Sequence, residues 1–282
     1  MATKKAASKK SSKTTKKVVK KVEAIKQAEV KVVEKTSESK NTIIETIAKP
    51  SFIAPVLMEL IGTFLLTAGV ITGRGQPLVV LFILLAVVLI AGRISGAHVN
   101  PLITIGAWTT RRINTLKAIF YIAAQFIGAM LAFVLLNAFV GAAPEVSQEQ
   151  MLMGVTQPTL FSVGALPKDK EILVLAAELI GSFIFAFAVA TIASDKKKTD
   201  GAVALGVGSG LFIAALIAGS LAEAVNGLTI LNPAVAVALK AFTAENQNVA
   251  MAVAIYVGAA ILGGILGFLL STLISKANEE EK

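Results

Sequence analysis

Two asparagines carry the chemistry that this sequence offers. Asn100 closes the run Ser95-Gly96-Ala97-His98-Val99-Asn100 and is followed by Pro101 and Leu102. Asn232 closes the run Asn226-Gly227-Leu228-Thr229-Ile230-Leu231-Asn232 and is followed by Pro233 and Ala234. Each Asn-Pro pair follows a hydrophobic span and opens a further apolar stretch of about half a membrane-crossing length. An Asn immediately before a Pro at the first helical position caps a short helix. Two such caps would set two helix N-termini, each with a partial positive charge, deep in one membrane. Each side-chain carbonyl can hold a local backbone N–H, and each amide nitrogen can donate to the oxygen of a passing water or alcohol. Facing positive ends raise the cost of a cation at that point. A single-file water held by two donors at its oxygen relays a proton poorly. This arrangement implies a pore.

Other chemistry is thinly represented. The 282 residues contain no Cys and one His, His98, so neither a disulfide framework nor a multi-His metal site is expected. There is no Ser/His/Asp set, no metal-ligand cluster and no cofactor loop, and no enzyme activity is expected. Gly206-Val207-Gly208-Ser209-Gly210 lies within an apolar span and lacks the strand–turn context of a phosphate loop. Glu59 and Glu178 are the acids well inside apolar spans. At that depth an acid is expected to face the protein interior and to have a hydrogen-bonding partner. An ion-coupled transporter would need such charges to line a site, with Glu223 as the third candidate beside Glu59 and Glu178.

The elements that must position these residues are helices. Hydrophobic residues make up 55% of the chain, which marks a polytopic membrane protein. Six stretches are long enough to cross a bilayer, about Phe52–Thr72, Pro77–Gly92, Ala118–Val140, Ile172–Ala193, Ala202–Ala222 and Val249–Ile274. The second is short and would need to run on into Arg93–Ser95. Asn100–Thr110 and Asn232–Phe242 are too short to cross. They read as re-entrant half-helices, tolerated at membrane depth inside protein or beside water. Met58-Glu59-Leu60-Ile61-Gly62-Thr63-Phe64 resembles Ala177-Glu178-Leu179-Ile180-Gly181-Ser182-Phe183, so the chain repeats. Each half holds three spans, an odd number, so the second copy enters the membrane from the opposite side. The expected fold is therefore an all-α membrane protein, an inverted 3+3 repeat of six transmembrane helices plus two half-helices. Its channel domain is 50–275, with repeat one at 50–140 and repeat two at 170–275. Ala124, Gly128, Gly206, Gly208 and Gly210 are small residues suited to close helix packing.

Charge sets the orientation. Residues 1–49 hold 14 Lys and 5 Glu, which accounts for the whole net charge of +9. Residues 1–16 read as disordered, and Val18, Val22, Ile25, Ala28 and Val32 in 17–35 share one helical face. The tail, Arg93, Arg111, Arg112, Lys117, Lys196-Lys197-Lys198 and Lys276 fall on one side. Arg74, Lys168, Lys170 and Lys240, diluted by Glu145, Glu149 and Glu245, fall on the other. Both termini, including the short tail 276–282, are expected in the cytoplasm, with the 141–169 connection outside. The Lys-rich tail is expected to contact anionic lipid rather than nucleic acid.

These segments together resemble the aquaporin/aquaglyceroporin (major intrinsic protein) family over about Phe52–Ile274. The carrying residues are the Ser95–Pro101 run, Tyr121-Ile122-Ala123-Ala124-Gln125-Phe126-Ile127-Gly128-Ala129 and Leu231-Asn232-Pro233-Ala234. The resemblance implies a cell-membrane channel that forms homotetramers, with one pore in each protomer. It places Asn100, Pro101, Leu102, Asn232, Pro233 and Ala234 at the pore centre and His98 at its cytoplasmic mouth. It has Glu59 and Glu178 hold loop amides near the half-helices, and Gln125 brace a re-entrant loop. The outer constriction falls near Val80, Ser220, Thr229 and Val235. Family members usually carry Arg where this chain has Val235, and glycerol-type members usually follow it with Asp where this chain has Ala236. Ile255-Tyr256 is closer to the water type. The ring is expected to be small, mostly apolar, uncharged and less selective than a strict water pore, with Leu102 narrowing the centre slightly. The implied partners are water, small neutral solutes and the bilayer. Alternatives are a facilitator of glycerol, urea, ammonia or another solute, an ion channel, or an ion-coupled transporter.

Overall fold

A computed structural model describes residues 42–195, 197–243 and 248–280. The Lys-rich segment 1–41, with its amphipathic pattern at 17–35, lies outside the described residues, as do Lys196 and Glu245. The chain divides into Met1–Ile53 and Ala54–Lys282. In the first, residues 42–47 are helical, and Thr46 Oγ1 donates to the Thr42 carbonyl at 2.7 Å.

The rest is helical, with no strand among the described residues. The elements are α1 (Pro50–Thr72), α2 (Pro77–Ser95), α3 (Pro101–Thr109), α4 (Thr115–Gly141), α5 (Gln148–Leu152), α6 (Glu171–Ile192), α7 (Asp200–Glu223), α8 (Pro233–Ala238) and α9 (Val249–Glu280). Among the described residues, α1, α2, α4, α6, α7 and α9 are long and apolar enough to cross a membrane. As anticipated, α2 runs on to Ser95, where Gly96 takes a left-handed φ of 92° and donates its N–H to the Gly92 carbonyl. That is the ordinary glycine stop for a helix.

The two short helices end by a shared device. After α3, Arg111 is left-handed (φ 59°) and Arg112 N–H donates to the Ala107 carbonyl at 2.8 Å. After α8, Lys240 is left-handed (φ 58°) and Ala241 N–H donates to the Ala236 carbonyl at 3.0 Å. Both are six-to-one closures that satisfy the last carbonyls. The closure stops α8 at Ala238, short of the expected Phe242.

Helix packing repeats between the halves as well. Gly128 of α4 lies against the Leu60 carbonyl and the Phe64 amide of α1. Gly263 of α9 lies against α6 in the same way, and a Cβ placed there would sit 2.7 Å from the Leu179 oxygen. Small residues let these backbones touch where lipid offers no hydrophobic drive between helices. Gly263→Ala is expected to force α6 and α9 apart at a cost of about 1–3 kcal/mol, read as a lower melting midpoint of the purified protein in detergent.

Candidate permeation pathway

The loops that lead into the short helices adopt costly backbone conformations. Ala97 (φ 48°) and Val99 (φ 42°) precede Asn100, and Leu231 (φ 57°) precedes Asn232. A left-handed β-branched residue persists only where its surroundings over-determine it. Here a buried carboxylate does so in each half. Glu59 of α1 accepts the amides of His98 (2.9 Å) and Val99 (2.7 Å). Glu178 of α6 accepts the amides of Ile230 (2.8 Å) and Leu231 (2.7 Å). A buried tyrosine adds a second tie to each loop. Tyr121 donates to the Ser95 carbonyl at 2.8 Å, and Tyr256 donates to the Leu228 carbonyl at 3.2 Å. Tyr256 stands in a π-helical turn, Ala254–Ala259, within α9.

Held this way, the two asparagines cap their helices and exchange bonds. Asn100 Oδ1 accepts the Leu102 amide at 3.0 Å, while its Nδ2 donates to the Leu231 carbonyl at 2.8 Å. Asn232 Oδ1 accepts the Ala234 amide at 3.1 Å, while its Nδ2 donates to the Val99 carbonyl at 3.0 Å. An amide nitrogen has two N–H groups. One from each Asn locks the opposite loop, which leaves one from each for whatever occupies the adjoining space.

That space is a cavity of about 200 Å³ bordered by Asn100, Asn232, Val80, Thr229, Val235 and His98. A second cavity of about 290 Å³ reaches Arg93 and Asp200. Leu84, His98 and Phe185 border both, so they mark where the two meet.

Not all of the residues expected at the site border these cavities. Ser220 is exposed and borders neither cavity; α7 contributes Leu211 and Ala215 instead. Ser220 lies five residues past Ala215, about 140° round the helix from that stripe. Pro101, Leu102, Pro233 and Ala234 are buried behind the asparagines and border neither cavity. Leu102 is fully buried, with its backbone against Gly264 of α9, so it does not narrow the passage. His98 borders both cavities, the second of which reaches the exposed Arg93 and Asp200.

Sequence reasoning missed Arg74, Phe161, Leu84 and Phe185, which also border the first cavity. Phe161 arrives from the long 142–170 connection, which the Val163 amide pins to the Leu239 carbonyl at 2.9 Å. No local signal marks that docking.

Around Glu59 the support is denser than around Glu178. Gln125 Nε2 donates both to Glu59 and to Thr104 Oγ1, each at 2.8 Å. Thr104 Oγ1 lies 3.2 Å from His98 Nδ1. The spacing that pairs Tyr121 with Tyr256 and Gly128 with Gly263 sets Ala260 opposite Gln125. Beyond the short helices, Arg112 bonds the Ala190 carbonyl (2.8 Å) and Ser194 Oγ (2.7 Å) and sits over the Phe268 ring. Its partial burial draws the guanidinium pKa below the ordinary value. In the second repeat it is Lys240, the counterpart of Arg111, that sits over Phe133, the ring equivalent to Phe268. Cations there complement the negative helix ends. Among the described residues, no three His, Cys, Asp or Glu side chains converge as a metal site.

The family model for major intrinsic proteins matches residues 76–270. The chain is 28% identical over 198 residues to aquaporin NIP1-3 of Oryza sativa subsp. japonica, covering 65% of this chain and 64% of that protein. It is 27% identical over 241 residues to aquaporin NIP1-1 of Zea mays, covering 81% and 77%. The fold is similar to the X-ray structure of the aquaglyceroporin from Plasmodium falciparum, with a TM-score of 0.59 and 18% identity over 79% of this chain and 97% of that one.

Proposed function

The chain belongs to the major intrinsic protein family, and from that premise we propose that it is a passive transmembrane channel for water and small neutral solutes. It is a multi-pass membrane protein whose spans carry exposed apolar side chains such as Phe82, Ile119 and Phe139. The observation that supports the channel reading best is the exchanged Asn100–Asn232 pair beside the first cavity, which meets the second at Leu84, His98 and Phe185. One free N–H from each amide suits the oxygen of water or an alcohol. Glu59 and Glu178 are spent on loop amides. Neither borders a cavity, which argues against an ion-coupled transporter.

A second reading, a facilitator of glycerol, urea or ammonia, draws on Val235. This buried side chain leaves the lining uncharged at that point. The same proposal takes the protein as a homotetramer in the cell membrane with cytoplasmic termini, its tail against anionic lipid. Stopped-flow shrinkage of reconstituted vesicles tests both readings. With an impermeant osmolyte, protein-bearing vesicles are expected to shrink faster than bare lipid. With glycerol or urea they are expected to shrink and then re-swell. Shrinkage no faster than lipid alone would refute the channel.

A further inference from the structure

Val235 leaves the α8 end of the first cavity without a cation, yet a cation borders that cavity elsewhere. Arg74 lies on the lining, in the Gly73-Arg74-Gly75 turn between α1 and α2. It and His98 are the ionisable side chains that border this space among the described residues. Its backbone is left-handed, φ 51°, beside Gly75 at φ 68°. Glycine would hold that turn more easily than arginine does. The side chain is exposed, and among the described residues no carboxylate is paired with it. Its charge is therefore not cancelled by a described neighbour.

Phe161 borders the same cavity. It is half-buried and packs on the turn that carries Arg74: a Cβ added at Gly75 would lie 3.1 Å from the Phe161 ring. The Val163–Leu239 bond ties this stretch to the end of α8, whose first turn carries Val235. One cation and one aromatic ring, from segments outside both half-helices, thus border the same cavity as the apolar ring.

We propose that Arg74 and Phe161 form a selectivity element of this channel, in which Arg74 repels cations and Phe161 limits solute width ahead of the uncharged ring at Val235. The inference rests on the channel reading above. Fixed charge beside a low-dielectric passage acts on ions and leaves neutral solutes alone, whereas a ring acts on size.

The full chain is reconstituted in vesicles, and potassium flux is measured against osmotic water flux for the wild type and for Arg74→Lys, Arg74→Gly and Arg74→Glu. Glycine suits the left-handed backbone, so that variant removes the charge without straining the turn. The ratio of potassium to water flux is expected to stay near wild type for Lys. It is expected to rise about tenfold for Gly, the scale of one charge acting over several ångströms, and to rise further for Glu. The differences are expected to shrink between 0.01 and 1 M salt, as the screening length falls from about 30 to about 3 Å. Phe161→Ala is expected to admit a longer polyol that the wild type excludes. A flat series with water still flowing, together with an unchanged polyol limit, would overturn the proposal. A wild-type protein that carries no water would overturn the channel reading, and this inference with it.

Discussion

Glu178→Ala is expected to destabilise the second re-entrant loop by about 3–5 kcal/mol, the scale of two buried charge-assisted hydrogen bonds lost together. The carboxylate is fully buried and accepts two consecutive amides, those of Ile230 and Leu231. Truncation leaves both N–H groups without that acceptor, and water cannot replace it without opening α6 from the loop. Leu231 would also lose what holds its left-handed backbone (φ 57°), so its carbonyl would drift from Asn100 Nδ2, 2.8 Å away. The lesion should therefore cross into the first repeat. Glu178→Gln separates charge from geometry. It keeps one acceptor but turns an NH2 group toward a backbone donor, and a smaller loss of about 1–3 kcal/mol is expected.

The matching change at Glu59 has a different expected signature. Glu59 also accepts from Gln125, which reaches on to Thr104 and, through it, to His98. In the second repeat the equivalent of Gln125 is Ala260, so Glu178 has no such brace. Melting midpoints of the purified variants in detergent, with water flux in vesicles, give the comparison. Wild-type stability and flux in Glu178→Ala would show that the carboxylate does not hold the loop.

Much of this framework is legible in the sequence because its signals are local. Asn before Pro caps a helix wherever it falls, and the Met58–Phe64 and Ala177–Phe183 segments announce the repeat. What escaped depends on rotation and on distant docking. The resemblance implies Ser220 at the constriction, but the face of α7 turned to the cavity follows Leu211 and Ala215. An apolar helix whose sides differ little gives no phase to read. Phe161 and Arg74 sit in connections where periodicity says nothing, and one backbone bond from Val163 to Leu239 anchors the path of the first. Tyr121 and Tyr256 were visible as residues, but their carbonyl partners in the loops were not.

The second large effect is expected from Val235→Arg. Val235 is 2% exposed and borders a cavity of about 200 Å³, so a longer side chain there must enter the passage or displace its walls. The change places a fixed positive charge beside the half-helix N-terminus, where the dipole already disfavours cations. At roughly 5 Å and an effective dielectric constant of about 20, that charge costs a passing cation about 3 kcal/mol, on the order of a hundredfold in rate. Neutral solutes escape this term but meet a smaller cross-section, so glycerol flux is expected to fall more than water flux. Overpacking should cost the fold about 1–3 kcal/mol; melting in detergent separates that from the permeation effect. The informative background is Arg74→Gly. If Arg74 supplies the charge that the Val235 position lacks, then Arg74→Gly leaks cations and Val235→Arg closes that leak in the double variant. Glycerol and cation fluxes left unchanged by Val235→Arg in both backgrounds would show that Val235 does not face the conducting path, and the ring drawn through Val80, Thr229 and Val235 would have to be abandoned.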